Sequence, residues 1–267
     1  MKMKPRNITG KIPLVLATLT YLFMWMPAVL LILFSFSNDR FGMRWEGFTL
    51  KWYSEILSNV AIRNALEISL TIAIITVIVS TAAGTLTAYG LYKYKFRGKG
   101  ALRMSLLLPI IMPYIVTAGA LLVFFTRVVH IPLGYPSILI AHISFSIPLA
   151  VFVVLGRMMR IDWSLEEASQ DLGANKLTTW RKVILPLLMP AIIASAVLIF
   201  PWSMSDFTIT FFVAGVGNTT LPIWIFSQLR WGASPAINAI GTIFIVLPVI
   251  GLLAMNFLLK KKKAARE

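Results

Sequence analysis

Six stretches of this chain are each long and apolar enough to cross a hydrocarbon core, a distance that takes roughly 20 helical residues. They lie near Ile12–Phe36, Leu66–Tyr92, Met104–Thr126, Ser137–Gly156, Leu188–Val213 and Ile237–Leu259. Most of these windows lack a polar face, so they do not read as buried helices of a water-soluble domain. The expected fold is an all-α integral membrane protein with six transmembrane helices, residues 1–267 forming one transmembrane domain.

Composition agrees with that reading. Hydrophobic side chains make up 58% of the chain, charged ones only 13%, and the mean hydropathy is +0.82. Soluble domains carry about a quarter charged residues. A formal net charge of +15 would point to nucleic acid if the basic residues formed one patch. They fall instead in short clusters between apolar runs. Lys2, Lys4, Arg6 and Lys11 precede the first window, and Lys93, Lys95, Arg97, Lys99 and Arg103 separate the second from the third. Arg157, Arg160, Lys176, Arg181 and Lys182 separate the fourth from the fifth, and Lys260 to Lys263 with Arg266 follow the last. The other side has Arg40, Arg44, Lys51, Arg63, Arg127 and Arg230. The excess places both termini on the cytoplasmic side of a multi-pass membrane protein, with lipid and not nucleic acid as its surroundings. The first window is too long for a cleaved leader, and no small-residue cleavage site follows it, so it reads as a retained helix.

The residues available for covalent chemistry are few. Cysteine is absent, and the two histidines, His130 and His142, have no carboxylate or second imidazole at ligand spacing. No metal site and no enzyme activity are expected on these grounds. No Gly-x-x-x-x-Gly-Lys-Ser/Thr phosphate loop occurs; Arg97-Gly98-Lys99-Gly100 reads as a basic turn. The outer loop from Asp39 to Asn64 carries Trp45, Phe48, Trp52, Tyr53, Ile56 and Leu57, with a helix expected near Lys51–Ser58. Two readings stand for it, anchoring at the headgroup layer and docking of a partner.

The segment of about residues 157–187 is the one long cytoplasmic connection. Ser164 and Glu167 have capping-box spacing, which predicts a helix from Leu165 with Glu166 and Glu167 at its positive end. Gly173 stands where a left-handed residue would stop that helix. Asn175 is placed to cap a second short helix through about Val183, with Pro186 just beyond. Leu165, Ala168 and Leu172 fall on one face.

Here the sequence resembles a known family. Glu167-Ala168-Ser169, Gly173 and Ile184-Leu185-Pro186 match the "EAA" loop of permeases of binding-protein-dependent ABC importers, with Ser169 in place of the second Ala. The likeness extends along the chain. Ser35-Phe36-Ser37, Lys51-Trp52-Tyr53, Tyr94-x-Phe96-Arg97-Gly98 and Gly232-x-Ser234-Pro235-x-Ile237-Asn238-Ala239 are similar to the spermidine/putrescine permeases of the PotC type. The resemblance implies a type I ABC importer permease fold. It makes Glu166, Glu167, Ala168, Asp171, Gly173, Leu185 and Pro186 an ATPase-coupling element. It also implies three partners: an ABC ATPase dimer, a second homologous permease subunit and an extracytoplasmic substrate-binding protein. ATP and Mg²⁺ would bind the ATPase, and this chain would hold no cofactor.

Polyamine members commonly show Ser-x-Asp-Asp in the fifth span, and this chain reads Ser203-Met204-Ser205-Asp206, with a single carboxylate. Asp206 is the acidic residue the fifth window encloses, about 18 residues or roughly 27 Å of helix beyond Leu188. It reads either as a solvated or partner-bound helix end or as a cavity residue that attracts a cation. Pro201 is expected to break the helix just before it. Trp202, Phe207, Trp224 and Trp231 fit either an interfacial belt or cation–π contact with an ammonium. Ser205 and Tyr114, the latter between Pro113 and the small residues Thr117-Ala118-Gly119, complete the candidate pathway. Thr76, Ser80, Thr81, Ala83, Gly84 and Thr87 suit close helix packing.

The expected function is passage of a small cation, spermidine or putrescine, or of another small amino-bearing solute, by alternating access. An ion-driven transporter would need coupling carboxylates in several spans and an inverted repeat. A membrane enzyme would need a cluster of reactive side chains at one depth. The sequence offers neither.

Overall fold

Apolar runs without β-branched alternation or turn punctuation should be helical, and the computed structural model of the chain is helical almost throughout. It describes residues 11–39, 44–231, 235–246 and 249–250. The helices are α1 (Lys11–Phe34), α2 (Lys51–Ser58), α3 (Val60–Lys93), α4 (Lys99–Ile111), α5 (Tyr114–Val123), α6 (Tyr135–Met158), α7 (Ser164–Asp171), α8 (Lys176–Thr179), α9 (Leu185–Ser205), α10 (Thr208–Val213) and α11 (Leu221–Trp231). Wider π turns occupy Phe124–Val128 and Trp180–Ile184. A single antiparallel bridge, Ser37 to Phe48, is the β pairing among the described residues.

Four helical stretches, Pro13–Phe34, Val60–Lys93, Tyr135–Met158 and Lys176–Ser205, are long and apolar enough to span a membrane. A fifth span arises if α4 and α5 count as one, but these are bent by 111°. The span expected near Met104–Thr126 is therefore a broken one. Met112 precedes Pro113 and is extended at φ −68°, ψ 141°, as the proline ring forces on its predecessor. The sixth window is described only in part, as the apolar helix Pro235–Val246. Its remainder, the basic tail Lys260 to Lys263 with Arg266, and Lys2, Lys4 and Arg6 lie outside the described residues.

The chain divides into two compact units, one of residues 1–63 and 225–267, the other of residues 64–224. In the first, the apolar stretch of α1 has no buried residue among the described ones. Only Ala28, Leu31, Ile32 and Phe34 are half-buried, so lipid or another subunit must cover most of it. The loop after it is folded. Trp52 Nε1 donates to the Ser37 carbonyl at 2.7 Å, Ser35 and Tyr53 hydroxyls meet at 2.8 Å, and Phe36 stacks on Phe48 at 5.5 Å. The helix expected at Lys51–Ser58 is present, but Trp52 and Ile56 turn inward, leaving Trp45, Phe48 and Leu57 exposed.

In the second unit the cores lie between α3, α6 and α9 and between α5, α6 and α10. The first holds Ala88, Leu91, Val151, Val154, Met158 and Leu188; the second holds Ile72, Ala118, Phe125, Ile138, Ile209 and Val213. Thr76, Ser80, Thr81 and Gly84 are buried on α3. There the Ser80 hydroxyl donates to the Ile143 carbonyl of α6 at 3.4 Å. A Cβ on Gly84 would stand 2.4 Å from that of Ala150. Small residues thus let two backbones approach, the packing rule expected inside lipid.

Candidate functional site

Two places gather the residues that the sequence singles out. The first is the segment between α6 and α9. Its first helix begins one residue earlier than expected, at Ser164, and the Ser164–Glu167 capping box is not formed. Asp162 supplies the cap instead, its Oδ1 accepting from Ser164 N–H at 3.1 Å. Hydrogen bonds from the Ser164 hydroxyl and N–H hold the Asp162 carboxyl below the usual carboxylate range. Gly173 ends the helix at φ +83°, a conformation that glycine adopts freely. Asn175 caps α8 by accepting from Thr178 N–H at 2.8 Å.

Beyond that cap the second short helix does not stop. α8, the π turn and α9 run on as one helical piece from Lys176 to Ser205, with Pro186 in the first turn of α9. A proline in a first turn costs no hydrogen bond, and the wide turn before it relieves the crowding of its ring. Leu185 is half-buried and Pro186 exposed at this junction.

The two neighbouring glutamates part company. Glu166 turns inward, its Oε2 2.7 Å from Lys93 Nζ at the end of α3, so it is not the free partner-facing carboxylate that the sequence suggested. Glu167, Ala168 and Asp171 are exposed, as are Leu165 and Leu172. Aromatic rings fix the inner side. Trp163 stacks on Tyr92 at 4.8 Å, Trp180 packs edge-on to Tyr89 at 4.5 Å, and Arg157 Nε donates to the Leu187 carbonyl at 3.2 Å. The segment therefore presents an acidic and apolar outer face while its inner face is secured to α3 and α9.

The second place is the gap between α9 and α10. Pro201 does not break the helix; α9 continues to Ser205, and the break falls at Asp206, extended at φ −67°, ψ 114°. The carboxylate causes it by capping the next segment. Its Oδ2 accepts from Thr210 N–H and Thr210 Oγ1, each at 2.8 Å, and its Oδ1 takes a longer contact from Ile209 N–H at 3.4 Å. His142 of α6 completes the shell, with Nε2 3.3 Å from Asp206 Oδ2. Side-chain exposure is 2% for both residues.

Around this pair Trp202 lies 5.7 Å from His142, 6.2 Å from Tyr114 and 6.4 Å from Phe145, and Tyr114 lies 5.9 Å from Phe145. At such separations the rings touch each other, so an ammonium would meet an outer ring face and not a space between them. Of the predicted pathway residues, Asp206, Trp202 and Tyr114 come together. Ser205 is exposed and bonds back to the Trp202 carbonyl, Phe207 packs on Phe211 at 5.2 Å, and Trp224 is buried on α11. The Trp231 side chain lies outside the described residues. Sequence reasoning missed His142, because its partner Thr210 is 68 residues away. A lone imidazole in an apolar span was the available signal, since lipid tolerates such a group only with a partner.

Comparison with known proteins gives a consistent pattern. A family model described as "Binding-protein-dependent transport system inner membrane component" matches residues 80–264. The spermidine/putrescine transport system permease protein PotC of Escherichia coli (strain K12) is 40% identical over 245 residues, 92% of each chain. The putrescine transport system permease protein PotI of the same strain is 33% identical over 258 residues, covering 94% of this chain and 92% of PotI. Among solved structures, a bacterial alginate ABC transporter in complex with an alginate pentasaccharide-bound periplasmic protein matches with a TM-score of 0.68. Its identity is 19%, and 91% of each chain is covered. At that identity the likeness is one of fold, that of an ABC importer permease.

Proposed function

Because this chain belongs to the family of binding-protein-dependent transport system inner membrane components, we propose that it is the membrane permease of an ATP-driven importer for spermidine and putrescine. The near-full-length identity to PotC carries this reading. The chain is not a catalytic subunit; cargo crosses without any bond being made or broken.

In this reading six spans cross a bacterial inner membrane with both termini in the cytoplasm. A second homologous permease covers the apolar surface of α1. An extracytoplasmic binding protein delivers the cargo, and an ABC ATPase dimer, which holds ATP and Mg²⁺, docks on the outer face of α7. Glu167, Ala168 and Asp171 meet the ATPase, while Gly173, Leu185 and Pro186 shape the connection to α9, and Glu166 braces it from within. Closure of the ATPase dimer moves this segment as a body and opens the pathway outward; hydrolysis reverses it. Asp206 supplies the negative charge for an ammonium, and Trp202 and Tyr114 supply ring faces, with Ser205, Phe207 and Trp224 along the same route. The buried carboxylate requires that α9 and α10 separate before cargo passes.

The test is ATP hydrolysis by the assembled transporter in nanodiscs. Binding protein loaded with spermidine or putrescine is expected to stimulate hydrolysis, and binding protein offered a neutral amino acid is not. Stimulation by the amino acid alone would remove the polyamine cargo while leaving the importer permease in place.

A further inference from the structure

Every polar atom of the His142 ring is engaged, and all of its partners belong to one feature. Nδ1 lies 2.8 Å from Ser203 Oγ, and Nε2 lies 2.9 Å from Thr210 Oγ1 and 3.3 Å from Asp206 Oδ2. Thr210 has a single hydroxyl proton, and Asp206 Oδ2 at 2.8 Å takes it. The Thr210 oxygen must then accept from Nε2–H, and in the neutral ring Nδ1 accepts from the Ser203 hydroxyl. The result is a directed series, Ser203 to His142 to Thr210 to Asp206, with one imidazole tautomer satisfying it. Ser203 stands on α9 and Thr210 on α10, so a residue of α6 grips both sides of the helix break. The same ring faces the Trp202 indole at 5.7 Å.

We infer that His142 is a positioning residue for cargo passage. It fixes the register of α10 against α9 and thereby sets where the Asp206 carboxylate and the Trp202 ring stand, without touching cargo itself. Its geometry separates it from a merely accommodated core histidine. Ser195 in the same helix region turns its hydroxyl back to the Ile192 carbonyl of its own helix. Ser203 instead spends its hydroxyl on an imidazole from another helix. The inference rests on the reading of Asp206 as a pathway residue.

The experiment uses proteoliposomes holding the complete transporter, with radiolabelled spermidine as the probe and cargo moved per ATP hydrolysed as the readout. That ratio does not change when a variant merely lowers the amount of assembled protein. His142→Ala is expected to lower it roughly tenfold, as loss of a hydrogen bond to a charged network would. His142→Gln, whose amide reaches the Nε2 position, is expected to restore most of the loss, and His142→Asn, which reaches only the Nδ1 position, is not. The double variant with Asp206→Asn should be no worse than Asp206→Asn alone. An unchanged ratio in His142→Ala, equal ratios in the Gln and Asn variants, or additive losses in the double variant would each overturn the inference. If Asp206→Asn itself leaves the ratio unchanged, the pathway reading falls and takes this inference with it. If Asp206→Asn lowers the ratio and His142→Ala does not, only the inference falls.

Discussion

Alanine at Gly84 is expected to destabilise the protein by about 3 kcal/mol, the upper end of overpacking penalties. The added Cβ would lie 2.4 Å from the Ala150 Cβ and 3.1 Å from the Val151 nitrogen, where ordinary contact begins near 3.5 Å. Those atoms are backbone or one bond from it, so no rotamer change relieves the clash. α3 and α6 have to move apart. The surrounding Ala88, Ala150, Val151 and Val154 are wholly buried, and separating them removes contacts along the whole crossing. Gly90 on the same helix is the control, because a Cβ there meets nothing within 4 Å. Alanine at Gly90 should change stability by no more than about 0.5 kcal/mol. Thermal unfolding of the purified permease in detergent checks both. Equal melting temperatures for the two variants would mean that α3 and α6 do not meet at Gly84.

The second large effect is expected at Gly173, and it should be functional where the first is structural. The residue has φ +83°, and its N–H donates to the Gln170 carbonyl at 2.9 Å. Proline fixes φ near −65° and has no N–H, so Gly173→Pro loses both at once. The turn must reorganise, and the contacts that tie α7 to α8 go with it, among them the Ser169 and Thr179 hydroxyls at 3.2 Å. Leu172 and Gly173 are exposed and nothing lies within 4 Å of a Cβ at Gly173, so the spans should assemble as before. Uptake and cargo-stimulated ATP hydrolysis are expected to fall more than roughly tenfold at unchanged membrane levels, a loss that a disrupted connection of about 3 kcal/mol accounts for. Asn, which tolerates left-handed backbone, should lose least, and Ala should be intermediate with a strain of about 1 kcal/mol. Transport that survives in the proline variant would remove this turn from the coupling connection.

The features legible in the sequence are those set by neighbours along the chain. Apolar length placed α1, α3, α6 and α9, and glycine and asparagine rules placed the turn at Gly173 and the cap at Asn175. The break after Met112 was equally local, because the proline at 113 dictates it, yet hydropathy averages over such a residue and hides it. Proline misled at 201 and 186, where helix continues. The ring at 186 stands in the first turn of α9 beside a wide turn and meets no obligatory hydrogen bond there, which only the actual turn geometry reveals. Pro201 lies inside α9, four residues before its end at Ser205. At residue 206 the break belongs to a carboxylate that prefers capping to helix. The pairing of Lys93 with Glu166 and of His142 with Asp206 had no local signal. Each depends on which helices lie side by side, and a single sequence does not state that.

The unbroken piece from Lys176 to Ser205 has 30 residues and is therefore about 45 Å long at 1.5 Å per residue. In the proposed coupling it acts as a lever. A tilt of roughly 5° at its Lys176 end carries the other end through about 4 Å, more than the length of a hydrogen bond. That far end is Ser205, and the joint at Asp206 follows it directly. Under the proposed coupling, a small stroke at the Lys176 end is thus amplified at the break between α9 and α10.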